Sequence, residues 1–149
     1  MVTTSSAIHV MRPDVHAGRS AFVSGAGSGI ARGIALPLMA LGMDVFGTGR
    51  RGEPLAETGQ LAEGLAGRFS FEPCNVRETE AIEALVKKVG DSQGIDLLVN
   101  NAGGQFFAPA TGISRKRWDA VIVVNLSAIF VVTKAGYPFR KSRKGSVVK

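Results

Sequence analysis

The chain has 149 residues, 45% of them apolar and 20% charged, with a formal net charge of +6. That size and balance suit one soluble globular domain with a real core. Its single cysteine, Cys74, excludes an internal disulfide; no apolar run approaches the ~18 residues of a membrane span, and the first ten residues lack the regions of a secretory signal, so a reducing, cytoplasmic setting without a membrane partner is expected.

Residues 1–18 mix Ser, Thr, His, Pro and Gly without periodicity. They read as a flexible N-terminal arm in which His9 and His16 carry no role, ahead of a domain spanning 19–149. Ser20–Ser24 predicts a first strand, ending in glycines. Ile30–Leu41 has helical spacing with Gly42 as its stop, although Pro37 inside it should cost about 3 kcal/mol or force a kink. Asp44–Thr48 predicts a second strand and Pro54–Gly64 a helix, Pro54 suiting a first turn. Phe69–Cys74 predicts a third strand. Glu78–Val89 predicts an amphipathic helix, with Ala81, Ile82, Leu85, Val86 and Val89 in one stripe. Ile95–Val99 predicts a fourth strand. Ser114 can cap a long helix reaching about Ala135, and Ser146–Val148 begins a fifth strand. Five of the 18 basic residues fall in the last ten positions. No nucleic-acid module accompanies them, so nucleic acid is not the expected partner.

Alternating strands and helices, with strands that are apolar throughout, imply a parallel sheet covered on both faces. Right-handed crossovers then give a doubly wound α/β fold. In such folds the turn after the first strand carries chemistry. Here it reads Gly25-Ala26-Gly27-Ser28-Gly29-Ile30-Ala31. Glycines let the backbone approach a pyrophosphate, and the helix behind them presents unpaired N–H groups and the positive end of its dipole. Ala31 stands where a third glycine could be and is small enough for close helix–strand packing. An acidic residue about 20 positions on would bind a ribose 2′-hydroxyl. The sequence instead has Thr48-Gly49-Arg50-Arg51, and paired guanidiniums suit a 2′-phosphate. NADP(H) is therefore the expected cofactor, in preference to NAD(H).

Four ordered motifs resemble the short-chain dehydrogenase/reductase family over about residues 18–149. Ser24-Gly25-xxx-Gly29-Ile30-Ala31 resembles its TGxxxGIG loop. Cys74-Asn75-Val76 is similar to its step after the third strand. Asn100-Asn101-Ala102-Gly103 matches its NNAG motif, and Trp118–Phe130 resembles its long fifth helix. The run from Asn100 to Trp118, above all Gly104-Gln105-Phe106, resembles the trans-enoyl-CoA and dienoyl-CoA reductase subgroup. The resemblance implies a Rossmann-type fold of which strands one to five are present. It implies hydride transfer between NADP(H) and an enoyl- or dienoyl-CoA or a carbonyl substrate, in a parent enzyme that is a homo-oligomer. Gly25, Gly27, Ser28, Gly29 and Ile30 would hold the phosphates, Arg50 and Arg51 the 2′-phosphate, Asn75 and Val76 the adenine, and Asn101, Ala102 and Gly103 the adenosine and ribose. Asn125 falls on the family's functional asparagine, which supports a helix kink and a proton-relay water.

The family's catalytic Ser and Tyr-xxx-Lys follow the fifth strand, where Lys at i+4 lowers the Tyr pKa. This chain is therefore expected to carry the cofactor half without them. A catalytically silent nucleotide-binding fragment is the alternative. Tyr137-xxx-Lys141 is not expected to be the catalytic pair. Pro138 biases Tyr137 out of helix, and Tyr137 falls about 18 Å beyond Asn125, away from the ligand end of the sheet. Cys74 is expected to be a packed strand-end thiol.

Overall fold

The computed structural model describes residues 11–149; residues 1–10, with His9 and most of the expected arm, lie outside the described residues. Residues 13–18 form turns, and the His16 N–H donates to the Leu41 carbonyl at 2.9 Å.

Five strands, β1 (Ser20–Ser24), β2 (Asp44–Gly49), β3 (Phe69–Pro73), β4 (Leu97–Asn100) and β5 (Ser146–Val148), pair in parallel in the order β3-β2-β1-β4-β5. The chain moves outward from β1 in one direction, then crosses back to β4. This reversal opens a crevice at the carboxyl ends of β1 and β4.

Side-chain alternation in β1 divides the core. Ala21 and Val23 face one side, in a cluster with Ala31, Ala35 and Met39 of α1 (Gly29–Ala40) and Leu55 of α2 (Gly52–Leu61). Phe22 faces the other, in a cluster with Ile82, Leu85, Val86 and Val89 of α3 (Thr79–Gln93) and with Ala128 and Val132 of the long C-terminal helix. Phe22 is fully buried and stacks on Phe46 with ring centroids 5.8 Å apart. Each large apolar side chain taken from water in this way stabilises by about 1.5–3 kcal/mol. Ala31 is fully buried among the residues joining α1 to the sheet, the close packing its small size was expected to allow.

The sequence places every strand and α-helical segment, with differences at their ends, but not the short 3-10 helix at Ala110–Gly112 or the π-helical turn at Val123–Ser127. Helix α2 begins at Gly52 instead of Pro54, because Arg51 takes the extended N-cap conformation (φ −119°, ψ 133°). Helix α3 continues four residues past Val89 and stops at Gly94, whose φ is +73°. Gly90 is no breaker there: a Cβ on it would lie 2.4 Å from Phe139, so the glycine makes room for that ring. Helix α1 runs through Pro37 and ends three residues later, so the missing N–H sits in its last turns.

The largest correction concerns the long helix. Ser114 does cap it, accepting from the Arg117 N–H at 3.3 Å, but it runs to Arg143 as α4 (Arg115–Ile122), a π-helical turn (Val123–Ser127) and α5 (Ala128–Arg143). By length and composition this 29-residue helix could cross a membrane, which counting uninterrupted apolar residues did not register. Its α5 portion is packed against protein. Val132 is buried, and Gly136 lies over Leu98 of β4 and Val86 of α3. Pro138 lies inside α5, so Tyr137 is helical after all. Proline loses one hydrogen bond there, while Phe139 beyond it packs into the space above Gly90. The basic C-terminal residues serve this helix end: Arg140, Lys141 and Arg143 occupy its last turn, and Arg143 pairs with Asp96 at 2.9 Å.

At the amino edge of β2, the Arg68 side chain and N–H donate to Asp44 at 3.0 and 2.9 Å. The Arg68 side-chain hydrogen bond, then its backbone bond, hold the Asp44 carboxyl below its ordinary range. A depressed carboxylate pKa stabilises the fold above the unfolded value, and the gain is lost as pH falls through the folded one. Asp44→Asn is therefore expected to flatten the dependence of the urea midpoint on pH below about pH 4. Gly90→Ala gains at most about 1 kcal/mol of helix propensity, but displacing Phe139 costs about 1–3 kcal/mol. Urea unfolding should show net destabilisation, largely relieved in the double variant with Phe139→Leu.

Candidate functional site

The crevice where the strand order reverses is a cleft of about 620 Å³. Its walls are set by one buried hydroxyl. Ser24, the last residue of β1, donates to the Val99 carbonyl at 3.2 Å and accepts from the N–H groups of Asn101 (3.0 Å) and Ala102 (3.1 Å). One donor and two lone pairs are thereby all used. The loop after β4 is pinned beside the loop after β1. A Cβ on Gly25 would sit 3.1 Å from the Asn101 side-chain Nδ2 and 3.3 Å from the Ala102 Cα. Gly25 also has φ +78°, so both space and conformation call for glycine.

The Gly25 and Ala26 N–H groups are already used, donating to the Thr48 carbonyl at 2.7 and 3.2 Å. Anion-binding capacity therefore passes to the start of α1. There Ser28 is extended, Gly29 has φ +56°, and the first-turn N–H groups lack intrahelical acceptors. Ile30 projects from this turn 76% exposed, an apolar side chain on the cleft rim.

All twelve residues expected to contact a cofactor line this one cleft: Gly25, Gly27, Ser28, Gly29, Ile30, Arg50, Arg51, Asn75, Val76, Asn101, Ala102 and Gly103. Arg77 joins Arg50 and Arg51 on the wall, and among the described residues lining the cleft there is no Asp or Glu. Asn75 is less free than its position suggests. Its side-chain Oδ1 accepts from the Arg77 N–H at 3.2 Å and its Nδ2 donates to the Glu78 carboxylate at 3.3 Å. Cys74 also lines the cleft, and burial, then Glu78 and Glu72, push its thiol pKa up.

Asn125 stands behind the wall and does not line it. It is half-buried at the centre of the π-helical turn, with its amide hydrogens directed to the carbonyls of Gly104 (2.6 Å) and Val121 (3.0 Å). Its oxygen accepts from the Gly104 N–H at 3.3 Å. The side chain thus ties the loop after β4 to the point where the helix changes pitch. Val121 and Val124 of that helix, with Phe106 of the loop, complete the cleft wall.

Tyr137 and Lys141 are helical neighbours, the Lys141 Nζ 5.9 Å from the Tyr137 ring, which corrects the expectation from Pro138. Their position still separates them from the site, since neither lines the cleft. Two organising residues were missed from sequence. The sequence shows Ser24 as the end of β1 and the first letter of a motif, without the loop-pinning role that a serine closing a buried strand before a glycine loop can take. Arg32, which bonds the glycine-rich loop after β1 to α2, resembles any exposed helix residue until the fold brings α2 beside it.

A family model described as short chain dehydrogenase matches residues 19–149. A 2-dehydro-3-deoxy-D-gluconate 5-dehydrogenase of Bacillus subtilis (strain 168) is 34% identical over 132 residues, covering 88% of this chain and 52% of its own length. A peroxisomal 2,4-dienoyl-CoA reductase of Danio rerio is 32% identical, covering 94% of this chain and 48% of its own. A metagenomic short-chain oxidoreductase solved in complex with NADP superposes with a TM-score of 0.83 at 33% identity, over 89% of this chain and 61% of its own. The chain spans about half the length of the curated relatives it matches.

Ser24→Ala would leave two N–H groups on the inner side of the cleft without their acceptor, a loss of about 1–3 kcal/mol. The expected outcome is a lowered urea midpoint with Ser24→Thr close to wild type; an unchanged Ser24→Ala midpoint would remove the hydroxyl from its organising role.

Proposed function

We propose, proceeding from the membership of this chain in the short-chain dehydrogenase family, that its cleft holds NADP(H) for an oxidoreductase. The observation that carries the cofactor choice is the cleft's charge: three arginines and, among the described residues lining it, no carboxylate. NADP(H) has one more phosphate than NAD(H), and guanidiniums recognise phosphate through paired, charge-assisted hydrogen bonds. The cleft's volume lies within the range of small-molecule sites, and open space where a side chain on Gly29 would stand leaves the backbone accessible there.

In this reading the amides at Ser28–Ile30 receive the pyrophosphate and Ile30 covers the bound molecule. Arg50 and Arg51 take the 2′-phosphate, with Arg77 adding to the positive field. Val76 and the internally bonded Asn75 form the wall against the adenine. Asn101, Ala102 and Gly103 border the adenosine and ribose, held in place by Ser24. Asn125 keeps Gly104, and with it the following loop, at a fixed distance from the helix. When bound, NADP(H) supplies or accepts a hydride at its nicotinamide ring. The chain's tyrosine, Tyr137, is outside the cleft, so no proton donor is assigned to it.

The proposed hydride partner of the whole enzyme is an enoyl- or dienoyl-CoA or a carbonyl compound. The Gly104-Gln105-Phe106 stretch and the dienoyl-CoA reductase relative support the first, and the gluconate dehydrogenase relative the second. The exposed apolar side chains Trp118, Leu126 and Phe130 support a homo-oligomer.

Calorimetric titration tests the cofactor assignment. NADPH should bind more tightly than NADH. Replacing both Arg50 and Arg51 by Ala should weaken NADPH binding by about tenfold or more, leaving NADH nearly unchanged. NADH binding as tight as NADPH, or no binding of either, would overturn the assignment.

A further inference from the structure

We propose that Arg32 is a positioning residue for recognition of the 2′-phosphate: it fastens the phosphate loop to the first turns of α2, and so fixes where Arg51, the N-cap of that helix, stands. The inference rests on the reading of the cleft as an NADP(H) site.

Arg32 projects from α1 and does not line the cleft. Its side chain is 23% exposed. The Nε donates to the Thr58 hydroxyl at 3.0 Å, and the Nη2 group faces the carbonyls of Gly27 and Pro54 (3.1 Å) and the Glu57 carboxylate (2.8 Å). Gly27 belongs to the phosphate loop; Pro54, Glu57 and Thr58 belong to α2. Thr58 closes the circuit by donating to the Ala26 carbonyl at 2.9 Å. The two segments are in direct contact, since a Cβ on Gly27 would lie 2.9 Å from the Pro54 Cβ. Arg51 is the N-cap of α2 and Arg50 precedes it, so both follow the first turn of that helix wherever it is held.

A planar fork serves acceptors on two segments at once, whereas a lysine ammonium is a single point on a flexible stem. Arg32 already has its charge met by Glu57 and its donors by the loop and α2. It is therefore suited to hold the offset between the two anion-binding regions instead of binding ligand itself. A merely structural arginine would affect both cofactors alike. A residue that positions Arg51 affects the ligand with the 2′-phosphate, and only while Arg51 is present.

The test is a double-mutant cycle on the 149-residue chain. NADPH and NADH dissociation constants would be measured for wild type, Arg32→Met, Arg51→Ala and the double variant, with urea unfolding in parallel. Arg32→Met should weaken NADPH binding about tenfold, NADH binding little, and NADPH binding little once Arg51 is Ala. Arg32→Lys should behave as Arg32→Met. An equal loss for both cofactors, or the same loss in the Arg51→Ala background, would overturn the role. If Arg32→Met does not fold, Thr58→Val, which removes the acceptor of the Arg32 Nε, enters the same cycle. A smaller NADPH-selective loss supports the role, and an equal effect on both cofactors overturns it. Wild type that binds neither cofactor sinks the cofactor reading together with this role; NADPH-preferring wild type with an unchanged ratio in Arg32→Met sinks the role of Arg32 alone.

Discussion

A parallel sheet brings the ends of its strands to one edge, and the loops leaving them must either separate or be held together. Here the hydroxyl of Ser24 holds them. Because β1 lies between β2 and β4, its last side chain reaches the strand end of one neighbour and the first two loop amides beyond it. The glycine that follows is then forced, as the space a side chain would need is occupied by Asn101 and Ala102. The cleft's inner wall, the entry to α1 and the course of the chain after β4 all depend on this arrangement.

How far the sequence anticipates the structure depends on how local each feature is. Strand β1 is legible to the residue, because its apolar run is bounded by glycines and fully buried on both faces. The twelve cleft residues are legible because the parallel topology collects strand ends whatever the details of the helices. Helix ends are less so. Gly90 looks like a stop until Phe139, 49 positions away in sequence, is seen above it. The same contact explains why Pro138 fails as a breaker: its local penalty is outweighed by packing that sequence alone does not display. Asn75 shows the reverse case. Its position is right, but its hydrogen bonds are spent on its own turn.

Two groups among the 18 basic residues do different work. Arg50, Arg51 and Arg77 line the cleft without a facing carboxylate among the described residues. The cluster at the other end of the molecule neutralises the carbonyl end of α5 and meets Asp96. The net charge of +6 is thus no single basic surface, and a count of Lys and Arg conceals the distinction. The charges matter by neighbourhood: the cleft arginines face no carboxylate among the described residues on its lining, whereas at the helix end Arg143 meets Asp96 and Arg140 meets the Gly145 carbonyl.

The π-helical turn at Val123–Ser127 has a consequence for how this molecule can vary. It inserts an extra residue into what would otherwise be a uniform helix, so the two segments flanking it point their side chains about 100° out of phase with an uninterrupted spiral. The segment before the turn offers Val121 to the cleft, joined by Val124 of the turn itself; the segment after it seats Val132 and Gly136 on the sheet. Single-residue deletions here would rephase everything downstream, while substitutions need only respect the grip of Asn125 on Gly104. Length in this stretch is therefore more constrained than composition, the opposite of what holds for most surface segments.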